Sequence, residues 1–206
     1  MGDSRNGHLS SARTDSEEVL ATLKQAGAYL TGHFRLSSGL HSPVYIEKFR
    51  LLERPELAAK VLGRLADRFQ GERVDVVIGP TTGGILVAYE VARKLGTRAM
   101  FAEREGGRRV LRRGFAIAPG ERVLVVEDVV TTGLSVREVL NLVAESRGEV
   151  VGVGIIVDRS GGRVDFGVRA ESLVQVAFET YVPEECPLCG ANIPLADPGS
   201  RRLGLG

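Results

Sequence analysis

The sequence predicts an α/β fold: a doubly wound core built on a mainly parallel five-stranded sheet flanked by helices, with a small hood ahead of it at the N-terminus. Three observations point there. Apolar runs of strand length alternate with stretches of helical spacing, which implies βαβ crossovers. Those runs are apolar at successive positions rather than alternate ones, as in strands covered on both faces. The chain has 206 residues, enough for one domain with a sizeable core.

In chain order, residues 1–14 (MGDSRNGHLSSART) are polar and are expected to be a disordered leader. Ser16 is the expected N-cap of an amphipathic helix reaching about Ala28, with Val19, Leu20, Leu23 and Ala26 on one face. The stretch GHFRLSSGLHSPVYIEKFRLL gives short strand-like runs interrupted at Gly39 and Pro43. Helical spacing follows from Pro55 to Phe69. The core strands are expected at Val74–Gly79, Arg98–Ala102, Arg122–Glu127, Glu149–Asp158 and Ser172–Phe178. Helices at Gly84–Leu95 and Leu134–Ser146 separate them. The expected organisation is therefore one domain: a hood over about 16–50, a core over about 55–180 and an extension over about 181–206.

Composition narrows the function classes. Hydrophobic residues make up 43% and charged residues 26%, ordinary values for a soluble globular protein. A formal net charge of +1 gives no basic field of the kind that attracts nucleic acid. No apolar run has the length needed to span a bilayer, and the first residues lack a signal-peptide core. The expected location is cytoplasmic. The two cysteines, Cys186 and Cys189, form a Cys-x-x-Cys turn, half of a zinc-site pattern. The histidines, His8, His33 and His41, stand far upstream. A reduced structural pair is the reading adopted, and no metal ligand is assigned. A metal site completed by distant histidines or another subunit, and a redox pair, stay open.

Ligands of open parallel sheets bind at the carboxyl ends of the strands. Three segments occupy those ends: GPTTGG (79–84), EREGGRRVLRRG (103–114) and EDVVTTGLS (127–135). In the last, Gly133 permits close backbone approach, and the hydroxyls of Thr131, Thr132 and Ser135 sit where a helix would begin. Helix-start N–H groups and hydroxyls suit a phosphate monoester. Glu127 and Asp128 would repel phosphate and suit the vicinal hydroxyls of a sugar. Acids followed by a phosphate cradle describe a ribose 5-phosphate. Neither a Walker loop nor a dinucleotide fingerprint is present.

VLVVEDVVTTGLS resembles the PRPP-binding motif of type I phosphoribosyltransferases, and the likeness covers most of the chain, from about Glu17 to Arg201. GHFRLSSGLHSPVYIEK and CPLCGANIPLADPGSR resemble one branch of the orotate phosphoribosyltransferases. The resemblance implies the type I phosphoribosyltransferase fold and transfer of ribose 5-phosphate from PRPP to orotate, with Mg2+ carried mainly by PRPP. It implies that Glu127 and Asp128 hold the ribose hydroxyls. Val129 and Val130 would lead into a 5-phosphate loop of Thr131, Thr132, Gly133, Leu134 and Ser135. Thr82 and Gly83 would face pyrophosphate. Arg159 of VDRSGG, with Tyr45, Ile46 and Thr131, would face orotate. A flexible loop near Arg104 would close over PRPP, and the chain would form a homodimer.

The sequence departs from the better-known orotate enzymes. It has Ser37 in LSSG where they carry lysine, Thr82-Gly83 where they often carry Tyr-Lys, and a short arginine-rich lid without Lys or His. Arg104, Arg108, Arg109, Arg112 and Arg113 are the cations available there, Arg104 foremost because it follows the strand end. Their RRVLRR alternation also fits a β-ribbon with its charges in water. A purine phosphoribosyltransferase and a non-catalytic PRPP-sensing regulator are the two other readings.

Overall fold

The computed structural model describes residues 5–198, with side-chain placement from Asp15 onward. Its first helix, α1, covers Arg5–Gln25, so Ser16 lies inside the helix rather than capping it. Residues 5–14 of the expected leader are thus helical, and no proline interrupts them. Residues 1–4 lie outside the described residues.

A hairpin follows, β1 (Tyr29–Arg35) and β2 (His41–Ile46), paired antiparallel and standing apart from the main sheet. The sequence reading carried strand character on to Leu52. Instead a short helix, α2 (Lys48–Leu52), begins where the Glu47 carboxylate accepts from Phe49 N–H, and it buries Leu51 and Leu52. Helix α3 (Pro55–Asp67) has proline in its first turn, and its Ala58, Val61, Leu62, Leu65 and Ala66 form the buried stripe.

The core continues with β3 (Val76–Pro80), α4 (Gly83–Leu95), β4 (Arg98–Glu105), β5 (Arg108–Val110), β6 (Arg122–Val130), α5 (Leu134–Glu145), β7 (Glu149–Asp158) and β8 (Ala170–Gln175). The sheet order is β5-β4-β3-β6-β7-β8. Five strands are parallel, as expected, and β5 adds a sixth, antiparallel to β4. All five residues of β3 are buried, which explains its unbroken apolar sequence. One face packs Val77, Leu124 and Val126 against α1, α3 and α4. The other packs Ile78, Val125 and Val153 against Val136, Val139 and Val143 of α5.

After β8 come a 3-10 turn (Pro183–Glu185) and a four-residue helix, α6 (Pro187–Gly190). This segment returns to the hood, bridging His41 to Tyr181 and Phe34 to Ala196. No helix among the described residues is long and apolar enough to cross a membrane.

Candidate active site

The loops after β3, β4 and β6 open on one edge of the sheet, because parallel strands end together. A shallow groove at the opposite edge is lined by Arg73, Asp75, Arg98 and Glu121, whose charges pair with one another.

The loop after β3 is glycine for steric reasons. A Cβ on Gly79 would lie 2.3 Å from the Gly84 carbonyl oxygen, and one on Gly83 would lie 1.7 Å from Asp128 Oδ2. Thr82 is the exposed residue that opens α4. This loop is therefore pressed directly against the acids of β6.

Those acids leave neighbouring positions of one strand, and side chains there alternate between faces. Asp128 turns toward α2, where Lys48 donates to its Oδ1 at 3.1 Å. Lys48 Nζ is also 3.1 Å from Oδ2, yet Oδ2 is buried and accepts no hydrogen bond among the described residues. Glu127 Oε1 accepts from the Asp128 N–H, and Asp128 Oδ1 accepts from the Val129 N–H. Burial, reinforced by the charge of Asp128, pushes the Glu127 carboxyl up to about 8. Burial also raises Asp128, against the opposing pull of Lys48. Burial draws Lys48 down, but Asp128 and Glu127 outweigh it and hold the ammonium above its usual range. Two desolvated carboxylates and one ammonium thus share the strand end.

Past Val129 and Val130 the chain turns at Gly133, whose φ of +76° favours glycine. A Cβ there would also meet Val164 Cγ1 at 2.6 Å. Thr131, Thr132 and Leu134 are exposed and Ser135 is half-buried, so this turn presents the start of α5 to solvent. The arrangement suits an anion.

The segment expected as a flexible lid is a ribbon. Gly106 and Gly107, both at positive φ, form a two-residue turn between β4 and β5, because hairpin twist favours two left-handed positions. Arg104, the sequence's first choice, donates to Glu138 of α5 at 2.7 Å and is half exposed. Arg112 pairs with Glu105 and Arg113 with Glu103. Arg109 differs: its side chain is buried, and it donates to Thr81 Oγ1 at 3.0 Å and to Glu138 at 3.2 Å. The guanidinium that touches the loop after β3 is that of Arg109, which the sequence did not single out.

Arg159 follows β7 and anchors its N–H on the Val130 carbonyl at 2.8 Å. It pairs with neither Asp158 nor Asp165. Asp158 accepts instead from Ser160 and Gly162 N–H, and Asp165 from Gly167 N–H. Arg159 Nε is buried with no hydrogen-bond partner among the described residues, and burial lowers its pKa. Its guanidinium lies 5.6 Å from the Phe178 ring centre. Tyr45 is close enough to Arg159 for each to bias the other's charge, and burial raises the Tyr45 hydroxyl. Ile46 is placed otherwise: its side chain is 6% exposed and packed in the main core.

The sequence reading named Arg109 among five lid arginines but put Arg104 first, and it missed Lys48. It closes the SPVYIEK stretch, but nothing local ties it to Asp128, 80 positions away. The sequence reading left open, without adopting it, a union of the cysteines with distant histidines, and the structure brings together His33, His41, Cys186 and Cys189.

Comparison with known proteins agrees with this geometry. A family model described as a phosphoribosyl transferase domain matches residues 50–166. The curated orotate phosphoribosyltransferase of Desulforamulus reducens is 52% identical over 187 residues, 91% of this chain and 98% of that protein. That of Caldanaerobacter subterraneus subsp. tengcongensis is 54% identical over 189 residues, 92% of this chain and 100% of that one. The crystal structure of orotate phosphoribosyltransferase from Aeropyrum pernix superposes with a TM-score of 0.64 at 32% identity, covering 76% of this chain and 92% of that one.

Proposed function

The chain belongs to the phosphoribosyl transferase family and, within it, to the orotate phosphoribosyltransferases, and on that premise we propose that it joins ribose 5-phosphate from PRPP to a ring nitrogen of orotate. The products are orotidine 5′-phosphate and pyrophosphate, a step of pyrimidine (UMP) biosynthesis. The observation that carries this reading is the juxtaposition at one strand end of buried Glu127 and Asp128 with the open start of α5.

The ring nitrogen attacks the anomeric carbon as the bond to pyrophosphate breaks, with inversion. The transition state resembles an oxocarbenium ion, so positioning and charge do the catalytic work. Asp128 and Glu127 accept from the ribose hydroxyls, and Lys48 favours the ionised form of Asp128 against the effect of burial. Thr131, Thr132, Gly133, Leu134 and Ser135 cradle the 5-phosphate. Thr82 and Gly83 approach the pyrophosphate, flanked by Arg109. Arg104 is held by Glu138 and reaches the pyrophosphate once that pair opens. Arg159 receives the orotate carboxylate beside Tyr45 and Thr131, while Ile46, the next residue of β2, anchors that strand in the core. A half-buried cation without an acid partner suits a carboxylated base, and adenine has no anionic group to pair with it.

Mg2+ fits this edge: the buried Asp128 Oδ2 accepts no hydrogen bond, and carboxylate oxygens suit a hard cation. Bound with PRPP, it supplies neutralisation of the departing pyrophosphate. The enzyme works in the cytoplasm as a homodimer. The outward faces of Leu86 and Tyr89 on α4, 46% and 65% exposed, support a contact with a second copy.

The test is a spectrophotometric assay with PRPP and Mg2+, following loss of orotate absorbance, with adenine and xanthine run in parallel. Orotate alone is consumed on this reading. Turnover of a purine, or tight PRPP binding without turnover of any base, overturns it.

A further inference from the structure

His33 lies on β1, His41 on β2, and Cys186 and Cys189 flank the first turn of α6. Their donor atoms all fall within 4.8 Å of one another. His33 Nε2 is 2.9 Å from His41 Nδ1, 3.6 Å from Cys186 Sγ and 3.7 Å from Cys189 Sγ. Cys189 Sγ is 3.3 Å from His41 Nδ1. A tetrahedral Zn2+ with Zn–N of about 2.0 Å and Zn–S of about 2.3 Å needs donors roughly 3.3–3.8 Å apart. Four of the six donor pairs already stand close to those separations, and the other two lie within 4.8 Å.

The surroundings also suit a ligand set. His33 Nδ1 lies 2.8 Å from the Ile193 carbonyl oxygen, which can only accept. Nδ1 therefore carries the proton, and Nε2 turns its lone pair into the cluster, the orientation that an outer carbonyl imposes on metal-bound histidines. The two sulfurs are held by a tight turn in which the Gly190 N–H donates to the Cys186 carbonyl and the Asn192 N–H to the Cys189 carbonyl. Finally, Cys186 is the one buried residue in the stretch 175–198. That segment has no apolar core of its own, yet its backbone pairs with both hood strands through Tyr181 and Ala196. Small units without enough core are commonly stapled by a metal.

We propose that His33 Nε2, His41 Nδ1, Cys186 Sγ and Cys189 Sγ bind one structural Zn2+ that fastens the C-terminal segment to the β1–β2 hairpin. Two thiolates and two imidazoles complete a closed tetrahedral shell with no position left for water, so the ion holds structure and takes no part in catalysis. Binding releases the two thiol protons to solvent and forms two Zn–S and two Zn–N bonds, with no change of oxidation state. The staple also steadies β2, which carries Tyr45 four residues beyond His41.

The test uses the full chain, free of any affinity tag and purified under reducing conditions. Elemental analysis is expected to give about one zinc per chain, falling at least tenfold in the Cys186→Ser, Cys189→Ser double variant. Cys189→His, which replaces one ligand by another at the most exposed of the four positions, is expected to keep the metal. Because the serine variant can fail to fold, Co2+ exchanged into the unaltered protein provides a second readout. A thiolate-to-cobalt charge-transfer band with intense tetrahedral visible absorption supports the site, as does a lower Tm on chelation. Absence of zinc together with a weak, six-coordinate cobalt spectrum overturns the proposal. So does a Cys186–Cys189 disulfide in protein that never took up metal. Every readout is independent of orotate turnover, so failure here leaves the enzymatic reading standing, and the reverse also holds.

Discussion

Replacing Arg159 with methionine separates a ligand-binding role from a structural one, because the two predict opposite signs. In the free protein Arg159 Nε is a buried donor without a partner, and its removal relieves a penalty of about 1–3 kcal/mol. The variant also gives up the contact with the Phe178 ring, worth about 0.5–2 kcal/mol. Methionine retains much of the aliphatic packing. The balance runs from a loss of about 1 kcal/mol to a gain of about 2.5 kcal/mol and centres on a modest gain, so Tm is expected to rise by a few degrees and to fall by no more than about 4 °C. Orotate binding responds the other way. A hydrogen bond from a guanidinium to a carboxylate contributes about 1.5–3 kcal/mol, which is roughly a 10- to 150-fold rise in the KM for orotate. The KM for PRPP should stay near the wild-type value. Steady-state kinetics with each substrate varied in turn, alongside a thermal melt, measures all three quantities. A Tm several degrees lower with an unaltered KM for orotate would refute the reasoning and make Arg159 a structural ion.

Three further perturbations follow from the same geometry. Gly83→Ala puts a Cβ at 1.7 Å from Asp128 Oδ2, so it should lower stability by about 1–3 kcal/mol in a urea melt, although alanine favours helix. Loss of kcat/KM for PRPP should accompany it, and a stabilised, fully active variant would contradict the packing. Glu127→Gln tests linkage: the native carboxyl sits near 8, far above its unfolded value, so the folded protein binds the extra proton across about pH 4.5 to 8. Its contribution therefore falls as pH rises through that window. Above pH 7 the glutamine variant should melt higher than wild type without ligand, and a lower melt there would contradict the assigned burial. Lys48→Met removes the cation that favours the ionised form of Asp128, so the acid limb of the kcat/KM profile should move to higher pH. Lys48→Arg should restore much of it, whereas an unmoved limb would argue that Lys48 only packs.

The parts of this molecule that were legible in the sequence are those fixed by local pattern. Buried parallel strands are apolar on both faces, so VDVVIG and EVVGVGIIVD announced β3 and β7 directly. β6 outran its expected end at Glu127 because pairing continues through Val129 with Val157 and Val130 with Asp158. There the polar residues belong to the ligand edge and mark no strand end. The β4–β5 ribbon was half legible, since Gly-Gly between alternating residues is a hairpin signal. Its pairing partners were not: Arg109 and Arg104 both meet Glu138 on α5, a contact of tertiary packing alone. Lys48 against Asp128, and the two histidines against the two cysteines, are likewise unions of distant segments. No periodicity encodes them, although the residue types that meet there were all visible in the chain.

The central claim is that a ribose 5-phosphate lies across the end of β6. A crystal structure with orotidine 5′-phosphate bound tests it most directly. The account predicts the phosphate within hydrogen-bonding distance of the turn from Thr131 to Ser135, the ribose hydroxyls on Asp128 and Glu127, and the orotate carboxylate on Arg159. A phosphate seated instead on the arginine ribbon or on the loop from Gly79 to Gly84, with the turn before α5 bare, would contradict it.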